Sequence, residues 1–126
     1  MPVIHVRALP QKVGMDVPAT LKKLACAVAA ATEVAPQRVF ATWETLPPDW
    51  YAEGENTSKS QPAGTHPPIV TSTAFEGRSP ATVRKMILAV VEVLGRELGI
   101  EQGNAFVTYC EARAGQIYTG GQIRER

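Results

Sequence analysis

Pro2 is the residue whose type and position could do chemistry by themselves, because it directly follows the initiator Met1. Removal of Met1 would leave the proline with a free secondary amine. Residues Pro2 to Ala8 alternate in the manner of a β-strand, so this amine would be held at the rigid start of a strand. Burial disfavours the charged form of an amine and lowers its pKa from about 8, the usual α-amino value. The position therefore predicts a neutral base near pH 7, provided that Met1 is removed.

The first half of the chain predicts a strand, a helix and a second strand. After the strand from Pro2 to Ala8, Asp16 is the predicted N-cap of a helix and Pro18 falls in its first turn. This helix is expected to end before Pro36, because the residue preceding a proline avoids the helical conformation. Branched and aromatic side chains from Arg38 to Glu44 predict the second strand.

The second half of the chain predicts the same order of elements. A strand from Pro68 to Ala74 precedes a helix that Ser79 caps and Gly99 ends. A further strand is predicted from Ala105 to Glu111. Residues Gln116 to Thr119 then predict a short hairpin strand before a pair of glycines.

The two halves also match in detail, which indicates an internal repeat. The tripeptide PAT at 18–20 recurs at 80–82, and Phe40, Thr42 and Trp43 recur as Phe106, Thr108 and Tyr109. Two βαβ units in tandem predict parallel strand pairs with right-handed crossovers. We therefore expect a two-layer α+β fold in one domain, 1–126. It has pseudo-repeats 2–44 and 68–121, a four-stranded mixed sheet and two helices on one face.

The other face of this sheet would be uncovered. Its predicted side chains include the apolar residues Val3, Phe40 and Phe106. Because an exposed apolar face of this size is costly, the pattern predicts that copies of the chain associate.

The segment 45–67 between the two halves is longer than a passive connection in a compact domain usually is. It contains many Pro, Gly, Ser and charged residues, and also Trp50 and Tyr51. We interpret it either as a lid or as a disordered excursion, with the two aromatic residues covering the edge of the sheet as a further alternative.

The composition excludes several classes of protein. A formal net charge of +1 gives no basis for binding nucleic acid or an anionic membrane. The longest apolar run is too short to cross a bilayer, and the amino terminus lacks the pattern of a signal peptide. Cys26 and Cys110 lack the spacing of metal ligands, so we interpret them as reduced, partly buried thiols of a cytoplasmic protein, and we expect no metal site.

Three motifs resemble the tautomerase superfamily, whose members are built from βαβ units and begin with a catalytic proline. They are the opening PVIHV, the segment PIVTSTAFEGRS at 68–79, and the end EARAGQIYTGG at 111–121. The second is similar to the start of 4-oxalocrotonate tautomerase. The tandem length resembles the fused members, which include the macrophage migration inhibitory factor (MIF) group. The turn EGRS followed by PATVRK is most similar to the cis-3-chloroacrylic acid dehalogenase and malonate semialdehyde decarboxylase branches.

The resemblance implies a homotrimer and assigns Pro2 and Arg78 to a site, for which we expect no cofactor. Pro2 is the catalytic base, and Arg78, in the EGRS turn, binds a substrate carboxylate. A guanidinium group suits this role because its fork of donors matches a carboxylate bidentately. Tyr109 is the third candidate catalytic residue, as a hydrogen-bond donor to an enolate. From their residue types we interpret four further residues as an apolar wall that desolvates the amine: Trp43, Trp50, Ile117 and Tyr118. Packing is the alternative role for each of them and for Tyr109.

Departures from the dehalogenase pattern favour a simpler reaction. The positions that match its catalytic histidine, glutamate and second arginine hold Thr32, Thr119 and Phe75. Without these groups to activate water, we expect a tautomerase or isomerase of small 2-oxo (enol) carboxylic acids. The alternatives are a decarboxylase, hydratase or dehalogenase of small three-carbon acids in which protonated Pro2 is the general acid, and a binding protein without catalysis. If Met1 is retained, the Pro2 nitrogen is an amide and the enzyme hypothesis fails.

Overall fold

The computed structural model describes residues 1–125. It contains two long helices, one short 3-10 turn at Pro36–Arg38 and eight strands. In chain order the elements are β1 (Val3–Ala8), α1 (Val17–Thr32), β2 (Phe40–Thr45), β3 (Ala52–Glu53), β4 (Asn56–Thr57), β5 (Ile69–Phe75), α2 (Pro80–Leu98), β6 (Phe106–Ala112), β7 (Tyr118–Thr119) and β8 (Gln122–Ile123). None of the described helices is long and apolar enough to cross a membrane.

The four long strands form one mixed sheet in the order β2-β1-β5-β6, which confirms the predicted architecture. Strands β1 and β2 are parallel, β5 and β6 are parallel, and β1 and β5 meet antiparallel at the centre. Because Val3 pairs with both Phe40 and Thr73, the start of β1 lies beside the start of β2 and the end of β5. The residues before β1 and after β5 therefore share one end of the sheet.

The helix ends follow the local sequence signals. The Asp16 carboxylate accepts a hydrogen bond from the Ala19 N–H at 3.0 Å, and the Ser79 hydroxyl accepts one from the Thr82 N–H at 3.2 Å. Gly99 ends α2 in the left-handed conformation with φ 65°. Strand β2 begins at Phe40 rather than at the predicted Arg38, because the 3-10 turn occupies the residues before it.

The core lies between the two helices and one face of the sheet. Side chains with no exposed surface come from every layer, and they include Ile4, Val6, Leu24, Val28, Val70, Val90 and Leu94. Both helices pack against this face and against each other. Both helices therefore cover the same face of the sheet, the one whose side chains form the core.

The opposite face of the sheet carries apolar side chains in the open. Val3 is 36% exposed, Phe40 46% and Phe106 56%, as expected for a face without helices. The two cysteines are free and both are exposed, which corrects the prediction of partial burial. Cys110 is exposed because it lies on this same open face, in register with Thr73.

The segment 45–67 has defined structure, which corrects the disordered alternative. Asp49 accepts hydrogen bonds from Lys59 at 2.7 Å and Thr57 at 2.9 Å, next to the small β3–β4 hairpin. His66 is buried, with its Nε2 bonded to the Asn56 carbonyl at 2.9 Å. The segment is therefore ordered mainly by hydrogen bonds, because it contains too few apolar residues to form a core of its own.

The same segment packs at the end of the sheet opposite to Pro2. The Gln61 N–H donates to the Pro10 carbonyl after β1, and the Glu101 N–H before β6 donates to the Ala63 carbonyl. The segment therefore does not cover Pro2 of its own chain. Tyr51 packs inside it, with its ring 5.1 Å from that of His66 and its hydroxyl donating to the Pro67 carbonyl at 2.6 Å.

Candidate active site

Pro2 lies fully buried at the start of β1, where the Phe40 N–H donates to its carbonyl at 2.9 Å. The chain described here carries Met1, so the terminal amine belongs to that residue. Burial lowers the pKa of this amine below its usual value, and the positive charges of nearby arginines lower it further. Loss of Met1 would move the free amine to the buried proline, where desolvation acts in the same direction.

Three guanidinium groups lie close enough to lower the pKa of the amine: those of Arg78, Arg124 and Arg38, in decreasing order of their effect. They come from three separate segments: the turn before α2, the last described segment, and the 3-10 turn before β2. Within residues 1–125, no carboxylate lies within ion-pair distance of any of them. This end of the sheet therefore holds three guanidinium groups without ion-pair partners among the described residues, together with the carboxylates of Glu76 and Glu111.

Phe75, the last residue of β5, contacts the guanidinium groups of Arg78 and Arg124. Its carbonyl accepts a hydrogen bond from Arg78 Nη1 at 3.1 Å, and its ring lies 5.0 Å below the guanidinium carbon of Arg124. Gly77, with φ 110°, forms the turn that carries Arg78 back toward the sheet, and only glycine adopts this conformation without strain.

The carboxyl-terminal hairpin of β7 and β8 places Arg124 at the same end of the sheet as Phe75. Gly120 and Gly121, with φ 62° and 86°, form the tight turn between β7 and β8. The Thr119 hydroxyl lies 3.2 Å from Met1 Sδ, and the Ala114 N–H donates to Glu76 Oε2 at 2.7 Å. These contacts hold the hairpin against the amino terminus and the turn after β5.

Tyr109 and Arg78 line one cleft of about 730 Å³ between α2 and β6. The other lining residues are Pro80, Val83, Arg84, Ile87, Leu88, Glu111 and Arg113. The Tyr109 hydroxyl is buried and has no hydrogen-bond partner among the described residues. Burial raises the pKa of this hydroxyl, with Arg78 opposing and Glu111 adding to the rise. Tyr109 therefore presents a protonated, unused donor beside Arg78.

The four residues assigned to an apolar wall are divided between two regions. Trp43 lies on β2, three strand spacings or roughly 14 Å from β6, with a buried indole N–H that has no partner among the described residues. Trp50 is 76% exposed in the segment at the far end of the sheet. Ile117, half-buried, and Tyr118, 68% exposed, belong to the terminal hairpin that contacts Met1. Trp43 and Trp50 thus lie away from Arg78 within one chain.

Arg38 and Arg124 are the candidate residues that sequence reasoning missed. The sequence contained a signal for Arg38. This residue immediately precedes a strand predicted to run parallel to β1, and parallel pairing places the starts of the two strands, and so Arg38 and Pro2, at the same end of the sheet. Arg124 had no such signal, since its place depends on how the terminal hairpin folds back.

Comparison with solved structures shows the fold. No family model matches the chain, and no curated protein matches it in sequence. Pt0534 inactivated by 2-oxo-3-pentynoate has a TM-score of 0.85 at 15% identity, covering 98% of this chain and 95% of that chain. Native fused 4-OT has a TM-score of 0.80 at 19% identity, covering 96% and 94%. An MIF-like protein from Entamoeba histolytica has a TM-score of 0.75 at 9% identity, covering 97% of both chains.

These likenesses extend over nearly the whole chain, including both βαβ units. They confirm the resemblance at the level of the fold, while the narrower dehalogenase and decarboxylase branch remains a prediction from the motifs. The chain has the two-layer fold shared by tautomerase and MIF structures.

Proposed function

We propose that this protein is a cofactor-independent tautomerase of small 2-oxo carboxylic acids, with the amine of Pro2 as its base once Met1 is removed. The supporting observation is that Pro2 is fully buried and that the pKa of the adjoining Met1 amine is lowered by burial and by three guanidinium groups, which have no ion-pair partners within residues 1–125. A lowered pKa increases the neutral fraction of an amine near pH 7, and only the neutral amine can accept a proton. The same lowered pKa favours the base role over the general-acid alternatives.

The proposed reaction moves one proton within the substrate. Arg78 binds the carboxylate of the enol form through two parallel hydrogen bonds. The Pro2 amine takes the proton of the enol hydroxyl, which leaves an enolate and a protonated amine. The enolate carbon then takes that proton from the amine, so that the keto acid forms and the base is regenerated.

Tyr109 is proposed to stabilise the enolate. Its hydroxyl is protonated at neutral pH, as the ordinary tyrosine pKa of about 10 dictates and as its raised pKa reinforces, and it has no acceptor among the described residues. A donor aimed at a developing negative charge stabilises the transition state more than the ground state. Ile117 and Tyr118 provide apolar surface from the adjacent hairpin.

The working assembly is proposed to be a homotrimer. The open face of the sheet exposes Val3, Phe40 and Phe106, and such a face favours association. Fused 4-OT structures of the same fold are described as trimers. Trp43 and Trp50 can then contribute to a substrate wall only from a neighbouring copy.

The test measures conversion of phenylpyruvate from enol to keto by wild type and by Pro2→Ala, after intact mass has shown that Met1 is absent. We expect Pro2→Ala to lose ~10²- to 10⁴-fold in rate, the usual contribution of a general base. Pro68→Ala is the matched control, because Pro68 is the buried counterpart of Pro2 in the second half. Unchanged turnover in Pro2→Ala, or a retained Met1, would exclude this mechanism and favour a binding protein without catalysis.

A further inference from the structure

The cleft that Arg78 and Tyr109 line is larger than their proposed roles require. Its volume of about 730 Å³ lies within the range, ~300–1,000 Å³, of pockets that bury most of a drug-sized ligand. A carboxylate bound by Arg78 and an enolate oxygen bound by Tyr109 would occupy only a small part of this space. The rest of the cleft is therefore available to the part of a substrate that does not react.

The side of the cleft that α2 forms carries an apolar stripe. Val83, Ile87 and Leu88 all line the cleft from this helix. Val83 and Ile87 are partly exposed, and Leu88 is 58% exposed. These side chains leave apolar surface in contact with water, and an apolar group bound on them would remove that surface from water.

The stripe begins at the turn that holds Arg78. From Pro80 to Leu88 the helix rises about 12 Å, at about 1.5 Å per residue, and Arg78 lies two residues before its first turn. A carboxylate on Arg78 therefore places any chain attached to it at the start of the stripe. The other charged lining residues are exposed to water and need no partner from a ligand: Arg84, Glu111 and Arg113.

We propose that this apolar stripe binds the unbranched tail of the substrate, so that the preferred substrate is a 2-oxo acid with an alkyl chain rather than a three-carbon acid. This inference rests on the proposed function for the position of the carboxylate and of the reacting carbons. Val83, Ile87 and Leu88 determine specificity, because they contact the tail and take no part in proton transfer.

Straight-chain fatty acids test the tail site without requiring catalysis. By calorimetry we expect the affinity of wild type to rise ~2- to 4-fold for each methylene added from butanoate to octanoate, the effect of half-burying or fully burying a methylene. Leu88→Asn and Ile87→Thr should each flatten this dependence. Arg78→Gln should weaken every acid by a similar factor and keep the dependence on length. Val91→Asn, on the same helix but outside this cleft, is the control and should leave the dependence unchanged.

The kinetic counterpart compares enol-to-keto conversion of 2-oxobutanoate with that of 2-oxooctanoate. We expect wild type to show a KM at least ~10-fold lower for the longer acid, and Leu88→Asn to remove most of this difference with kcat little changed. Leu88 is exposed, so this variant should fold as wild type does.

Two results would overturn the inference. One is an affinity of wild type that does not depend on chain length, and the other is a dependence that both Leu88→Asn and Ile87→Thr leave intact. If affinity rises with chain length but neither enol is converted, the tail site stands and the proposed tautomerase function fails.

Discussion

Replacing Arg78 by Gln separates the function of this residue from its part in the fold. The change removes the guanidinium while keeping a side chain of similar reach. A bidentate, charge-assisted contact to a carboxylate contributes ~1.5–3 kcal/mol, which corresponds to a ~10- to 100-fold loss in kcat/KM. We therefore expect the variant to lose turnover of phenylpyruvate by this factor.

The effect of the same change on folding should be small, because two contributions oppose each other. Losing the hydrogen bond to the Phe75 carbonyl costs about 0.5–1.5 kcal/mol. Arg78 lies two residues before Pro80, where α2 begins, and a cation there opposes the helix dipole. Removing this charge should therefore stabilise the fold by about 0.3–1 kcal/mol. The thermal midpoint should consequently stay within about 4 °C of wild type.

The pH profile of kcat/KM is the more specific assay. Arg78 is the charge that most lowers the pKa of the terminal amine in this chain, after burial itself. In Arg78→Gln the pKa of the proposed catalytic amine should rise, so the acid limb of the profile should move to higher pH. Arg96→Gln serves as the control arginine. An acid limb that stays in place, together with kcat/KM within a factor of ~2 of wild type, would refute the role assigned to Arg78.

Three further predictions concern stability and assembly. Leu94→Ala should destabilise the chain by ~2–5 kcal/mol in urea unfolding, because Leu94 is fully buried, whereas Leu88→Ala on the same helix should cost far less, since Leu88 is 58% exposed; similar losses would contradict the described core. In chains that retain Met1, the pKa of its amine is lowered in the fold, so its contribution to the free energy of unfolding should be complete above about pH 8 and lost as pH falls through the lowered value. Acetylating the amine should abolish this dependence, and a dependence that persists would point to other groups. Phe106→Glu should dissociate the proposed trimer in sedimentation velocity, whereas Val13→Glu, at a fully exposed site, should not; a trimer that stays intact in both variants would contradict an interface on the open face of the sheet.

The sequence alone determined the four long strands, the two helices and their order, because these depend on interactions between near neighbours. Asp16 and Ser79 cap helices through hydrogen bonds that span three residues, and Gly99 ends α2 through its own backbone conformation. The internal repeat then specified parallel pairs within each half. Parallel pairing places the start of β1 beside the start of β2. The order of the elements therefore already predicts that Arg38, just before β2, lies near Pro2.

Only the tertiary structure decided which side chains meet at the amino terminus. Arg124 reaches Phe75 across about fifty residues of chain, through a hairpin whose direction no local pattern specifies. Trp43 shares its place in the repeat with Tyr109, yet the two lie on opposite edges of the sheet because β2 and β6 are its two outer strands. Local sequence patterns specify backbone conformation, whereas a site of charged side chains from separate segments depends on how the whole chain packs.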